Sequence, residues 1–238
     1  MSLENYINKT NLDNNMRLFL SGGGIGKDSK EIDDLFAKSI DKNKPLLYIP
    51  IAMDEKKRSY DECFKFISDT FNPRGINNIV MWTEREIENP KVDLDSFGGI
   101  YVGGGNTFYL LKKIKETNFD TILKNAINKN IPYYGGSAGA IICGKTIKPA
   151  EVSDKNQVGL KYLSGFGLLN SFSIWCHYKK EKFNLINDLK NYNNLEIIAL
   201  PEDTSLYCEN NFIMIYGSSP THVFGKDNFI KKPKSRLI

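Results

Sequence analysis

Gly135-Gly136-Ser137-Ala138-Gly139, within the run IPYYGGSAGAII, sets a serine hydroxyl in a GxSxG pattern. An apolar stretch ending in Tyr133-Tyr134 precedes it, and Ala140, Ile141 and Ile142 follow, so the serine falls where a strand turns sharply into an apolar helix. Only small residues two before and two after such a nucleophile let strand and helix approach, and Gly135 and Gly139 meet that need. The turn also aims N–H groups of the helix start at the space beside the hydroxyl, where the oxyanion of an attacked carbonyl would form. Nucleophilic acyl transfer is the chemistry implied. The plainer alternative is a Gly-rich turn in which Ser137 merely caps the helix.

A second glycine run, Tyr101-Val102-Gly103-Gly104-Gly105-Asn106-Thr107, again closes an apolar stretch and opens a helical one. At the C-terminal edge of a parallel sheet such a loop stands beside other strand ends, so Gly104 and Gly105 are expected to complete an oxyanion hole with Ala138. Ser21-Gly22-Gly23-Gly24-Ile25-Gly26-Lys27-Asp28 fits neither phosphate-binding pattern, because Lys27 is followed by Asp28 and stands where GxGxxG needs glycine. It reads as a structural strand-to-loop turn. For a base the sequence offers two histidines, His177 and His222. Neither has a second His or a Cys pair at zinc-ligand spacing, so no catalytic metal is expected. Of four scattered cysteines, Cys143 is expected to face the core six residues into the elbow helix, and Cys176, adjacent to His177, to point to the opposite side of its strand. Neither placement suits a nucleophile.

Positioning these residues requires a sheet. Strands are expected at Arg17 to Ser21, Pro45 to Ile51, Ile76 to Trp82, Gly99 to Val102 and Ile131 to Tyr134, continuous apolar runs of the kind a parallel sheet buries on both faces. Helical spacing of apolar residues covers Ser29 to Ile40, Tyr60 to Phe71 and Thr107 to Ile127, with Asn118 a point of interruption. Strand, helix, strand repetition implies an α/β, doubly wound, mostly parallel sheet flanked by helices. After Ser137 the strands shorten to Phe172 to His177, Leu195 to Leu200, Leu206 to Glu209 and Phe212 to Tyr216, with a hairpin turn at Glu209-Asn210-Asn211, so a mixed or antiparallel C-terminal extension is expected. The polar, aperiodic residues 1–15 read as a loose extension and residues 16–238 as a single domain.

Composition narrows the class further. The 238 residues are 41% hydrophobic and 25% charged, and no apolar run approaches the ~18 residues a membrane span requires. The net charge of +4 comes from interleaved basic and acidic residues without an arginine-rich block, which argues against nucleic acid. With no CxxC pair and no secretory signal ahead of the cysteines, reduced thiols in a cytoplasm are expected.

LFLSGGG, LLYIPIA, YVGGGNTFYLL, YYGGSAGAI, a lone His after an apolar strand and IALPEDTSL together resemble peptidase E and its relatives in order and spacing, from about Met16 to Phe224. That family is similar in fold to class I glutamine amidotransferases, with serine in place of cysteine at the elbow. The resemblance implies peptide hydrolysis by a Ser, His and acid triad, without cofactor, on a small peptide substrate; the oligomeric state is left open between monomer and homodimer. It places the base at His177 in SIWCHYKKE and the acid at Glu202 in LPED, with Asp154 and then Glu151 of KPAEVSDKN as alternatives. An imidazole titrates near neutrality, as a general base must. The family's aspartyl dipeptidase has Asn-Pro-His-Phe around its base where this chain has Trp175-Cys176-His177-Tyr178, which implies a different wall for the substrate. Lys179, Lys180 and Lys182 are candidates for binding an acidic side chain. A binding or sensing protein that kept the scaffold without catalysis is the second reading.

Overall fold

The computed structural model describes residues 16–209 and 212–237. The extension expected over residues 1–15 and the Asn210-Asn211 tip of the hairpin lie outside the described residues. In chain order the first half runs β1 (Arg17–Ser21), α1 (Lys30–Ser39), β2 (Leu46–Ile49), α2 (Tyr60–Phe71), β3 (Ile79–Met81), α3 (Glu84–Glu88), β4 (Gly99–Val102), α4 (Thr107–Glu116), α5 (Phe119–Asn128) and β5 (Tyr133–Gly136). It continues with α6 (Ala138–Ile141), β6 (Phe172–Trp175), α7 (Phe183–Asn193), β7 (Glu196–Ala199), β8 (Thr204–Glu209), β9 (Phe212–Gly217), β10 (Thr221–Phe224) and β11 (Phe229–Lys231).

The main sheet has the order β3-β2-β4-β5-β1-β8-β9. Its first five strands are parallel; β8 runs antiparallel to β1, and β9 antiparallel to β8. Alternation along each strand splits the core in two. Leu18, Leu20, Leu47, Ile49, Ile100 and Val102 pack with Phe108 and Leu111 of α4 and Phe119 and Leu123 of α5, whereas Phe19, Leu46, Tyr48, Tyr101 and Tyr134 pack with Ile32 and Phe36 of α1 and Ile67 and Phe71 of α2. Burial of both faces is why these strands read as unbroken apolar runs.

Local chemistry sets several boundaries. Ser59 and Glu62 form a reciprocal capping box at the start of α2. Asn118, with φ 56, takes the left-handed conformation and divides α4 from α5. The elbow helix is shorter than its apolar sequence suggests: α6 spans four residues, and Lys145 N–H is already paired with the Phe172 carbonyl, so Cys143 lies past the helix. The C-terminal region divides in two. While β8 and β9 extend the main sheet, β6 and β7 pair in parallel within a second sheet of order β11-β10-β7-β6. Trp175, Tyr178, Ile197, Ala199 and Phe224 pack there with Ile186 of α7. Among the described residues no helix is long and apolar enough to cross a membrane.

Candidate active site

β4, β5 and β1 are neighbours in the sheet, and each ends in a glycine-rich loop at the same edge. Two glycines close the elbow as the sequence pattern requires. A Cβ on Gly135 would stand 2.5 Å from the Gly139 carbonyl oxygen, and one on Gly139 would stand 2.3 Å from that of Val102. Between them Ser137 sits at φ 47, ψ −102, a conformation non-glycine residues seldom adopt, held by its N–H to the Ser21 carbonyl and by the Ile141 N–H on its own carbonyl.

From the second sheet comes the imidazole. Ser137 Oγ lies 2.8 Å from His177 Nε2, and His177 Nδ1 lies 3.0 Å from Glu202 Oε1. With the proton on Nδ1 donated to the carboxylate, Nε2 is left to accept from the serine hydroxyl. His177 is also left-handed, with φ 54, and its N–H donates to the Gly22 carbonyl, while the Gly24 N–H donates to that of Glu202 and the Gly22 N–H to that of Thr204. The loop after β1 thus ties together the turns carrying His177 and Glu202. Both remain open to solvent, the imidazole 46% and the carboxylate 54% exposed. Such an array can abstract the serine proton, deliver the alkoxide to a carbonyl and return the proton to a leaving amine.

The other carboxylates stand elsewhere. Asp154 Oδ2 accepts from the Thr107 N–H at 2.8 Å, capping α4, and Glu151 is exposed on the turn Lys148–Val152; neither is hydrogen-bonded to His177. Gly104 lies against Ser137, a Cβ on it falling 3.3 Å from Ser137 Cβ. Gly105, at φ 145, is pressed on the Ala52 carbonyl, and Ala138 begins α6 directly after Ser137. No acceptor among the described residues takes the N–H of Gly104 or Gly105. His222 is partnered with the Tyr178 hydroxyl, and burial followed by the Lys180 charge lowers its pKa.

A cavity of about 380 Å³ opens beside Ser137. Asp154 lines it, and so do Tyr48, Arg58 and Tyr101; the two tyrosines stand in the runs LLYIPIA and YVGGGNT, which single out neither as a site residue, and Arg58 lies in no motif. None of Lys179, Lys180 and Lys182 does so. Cys176 lines it as well, contrary to strand alternation, because β6 ends at Trp175 and the left-handed His177 breaks the alternation. Its sulfur faces the Ser21 and Ser137 carbonyls, and burial pushes the thiol pKa up. Cys143 is pushed up to about 12 by burial. Gly23 has a role the sequence hid, since its missing side chain makes room for the His177 ring. Among the described residues no three His, Cys, Asp or Glu side chains gather as a metal site.

Comparison with known proteins adds an independent line. The profile of peptidase family S51 matches residues 18–215. Peptidase E of Haemophilus influenzae (strain PittGG) is 26% identical over 198 residues, covering 78% of this chain and 80% of that protein. A Drosophila melanogaster protein named "Probable alpha-aspartyl dipeptidase" is 25% identical over 210 residues, covering 83% of this chain and 82% of its own length. Among solved structures, a peptidase from an acI-B1 Actinobacterium shares the fold with a TM-score of 0.73 at 19% identity, over 94% of this chain and 98% of that one.

Proposed function

The chain belongs to peptidase family S51 and is a serine peptidase, and on that premise we propose that it cleaves short peptides, dipeptides among them, through an acyl-enzyme on Ser137. The observation that carries this reading is the unbroken relay from Ser137 Oγ through the His177 ring to Glu202 Oε1, at 2.8 and 3.0 Å. His177 takes the hydroxyl proton as Oγ attacks the scissile carbonyl, and Glu202 holds the ring in the tautomer that can accept it. The N–H groups of Gly104 and Ala138 receive the oxyanion, with Gly105 fixing the loop against Ala52. Collapse of the tetrahedral intermediate passes the proton to the amine, and water then releases the acid by the same steps in reverse.

A cavity of about 380 Å³ suits one or two residues better than a long chain. The dipeptidase name of the Drosophila relative agrees with that size. Four free cysteines fit a reducing cytoplasm as the place of action. Fluorophosphonate labelling tests the reading: the intact protein takes up the probe and hydrolyses dipeptides, and Ser137→Ala does neither. Turnover surviving in Ser137→Ala would remove the nucleophile from this position.

A further inference from the structure

Buried tyrosine hydroxyls keep hydrogen-bond partners, because an unpaired phenol out of water loses the bonds it had in solvent. Four buried tyrosines crowd β2, β4 and β5, and the two on β5 follow this rule. Tyr133 donates to the Gly139 carbonyl at 2.8 Å, and Tyr134 donates to Asp33 Oδ1 at 2.8 Å. Tyr101 does not. It is only 7% exposed, its hydroxyl has no partner among the described residues, and it lines the cavity. A Cβ on Gly136, the residue before the nucleophile, would stand 3.2 Å from the Tyr101 oxygen, and one on Gly103 would stand 3.4 Å from the Tyr48 oxygen. The two glycines therefore keep both phenols open to the space beside Ser137.

We propose that Tyr101 is a specificity-determining residue, whose hydroxyl donates to an uncharged oxygen on the side chain of the substrate's acyl-side residue, the amide of Asn being the best match. The inference rests on the peptidase reading above and names the substrate class of that site. Reach favours a short side chain, since the phenol lies next to the residue preceding Ser137. Charge favours a neutral one. The Tyr101 ring stacks on Tyr134 at 4.4 Å and 13°, and Tyr134 in turn binds the buried Asp33, so a carboxylate, itself paired with Arg74 Nη2 at 3.8 Å, already stands behind this floor. Burial, then the Asp33 and Tyr48 neighbours, hold the Tyr101 proton in place as a donor. Arg58 is the one Lys or Arg side chain lining the cavity, and it is solvent-exposed on the segment before α2, where a guanidinium gives a carboxylate little. An acidic side chain would exchange its hydration for a single neutral hydrogen bond, a poorer trade than an amide makes.

Hydrolysis of Asn-Leu, Asp-Leu, Ala-Leu and Leu-Leu by the wild type, Tyr101→Phe and Arg58→Gln tests this. The wild type should favour Asn-Leu over Asp-Leu and Leu-Leu by on the order of 10-fold in kcat/KM, and Tyr101→Phe should bring Asn-Leu to within about 3-fold of Ala-Leu. Fastest cleavage of Asp-Leu, with that advantage lost in Arg58→Gln, overturns the proposal. So does an Asn-to-Ala ratio that Tyr101→Phe leaves unmoved. The wild-type ranking decides the matter even if Tyr101→Phe does not fold. An enzyme that takes up fluorophosphonate yet shows no preference for Asn refutes this inference alone, whereas no uptake and no hydrolysis of any dipeptide refutes the peptidase reading beneath it.

Discussion

The imidazole of His177 occupies the space that a side chain on Gly23 would need. A Cβ there would stand 2.1 Å from Cε1 and 2.6 Å from Nε2, and the Gly23 backbone has φ 114. The loop after β1 is therefore the seat of the His177 ring.

Gly23→Ala should displace the ring from Ser137 and lower kcat/KM by on the order of 100-fold or more, because a misplacement of about 1 Å suffices for that. Far-UV circular dichroism should stay close to wild type. Gly26→Ala is the control in the same loop. Gly26 has φ 64 but nothing within 4 Å of an added Cβ, so it should cost about 1 kcal/mol of stability and leave turnover within a few-fold.

Glu202→Gln keeps the size of the side chain but removes the charge facing His177 Nδ1. Its amide can present either oxygen or N–H to the ring, so the tautomer is no longer enforced, and kcat should fall by on the order of 10²- to 10⁴-fold. Measurement on one dipeptide at one fixed pH makes the two proteins directly comparable. A variant within a few-fold of wild type would show that the acid lies elsewhere.

The four cysteines should be silent in the native enzyme. All are buried and free, and burial raises the thiol pKa of each, that of Cys143 to about 12. Thiolate is the reactive form, so iodoacetamide at pH 7.5 should leave dipeptide hydrolysis unchanged over an hour. Inactivation in step with alkylation of Cys176 would point to a thiol mechanism.

Asp33 should set part of the acid dependence of stability. Burial raises its pKa above the ordinary 3.8, against the lowering by Ser29, Tyr134 and Arg74. The folded state then holds the proton more tightly than the unfolded chain. The stabilisation this confers is complete below the unfolded pKa and disappears as pH rises through the folded one. The stability of the wild type minus that of Asp33→Asn should accordingly fall as pH is raised from about 3.5 to 7, read by urea titration at each pH. A difference that rises over that range would reverse the sign assigned to Asp33.

Much of the main sheet could be read from the chain because its strands are buried on both faces and so appear as plain apolar runs; β1, β4 and α2 have the bounds their patterns suggest. The elbow was legible for the same reason that it works, since Gly135 and Gly139 are forced by contacts of 2.5 and 2.3 Å. The second sheet was legible only by half: Phe172 to His177 and Leu195 to Leu200 show as strands and hold β6 and β7, but β10 and β11 do not show. β10 and β11 have four and three residues, too few to display a period, and α7 buries only Ile186 within an asparagine-rich sequence. Glu202 came from resemblance alone, because the contact that gives it a role crosses from the end of β7 to the end of β6. Tyr101 and Gly23 stand in glycine runs that the sequence singles out, but they act through neighbours distant in sequence, so the runs do not show what either side-chain position is for.

Nucleophile and relay also part company in time. Ser137 leaves the ribosome 40 residues ahead of His177, which is itself 25 ahead of Glu202, and β1 has no partner on its β8 side until Thr204–Glu209 has been made. A nascent or truncated chain that ends after α6 carries a serine hydroxyl with nothing to take its proton. On the proposed mechanism, hydrolytic competence arrives only when the second sheet docks and the strand after Glu202 slots in beside β1, so the peptides around an unfinished copy would be safe from it.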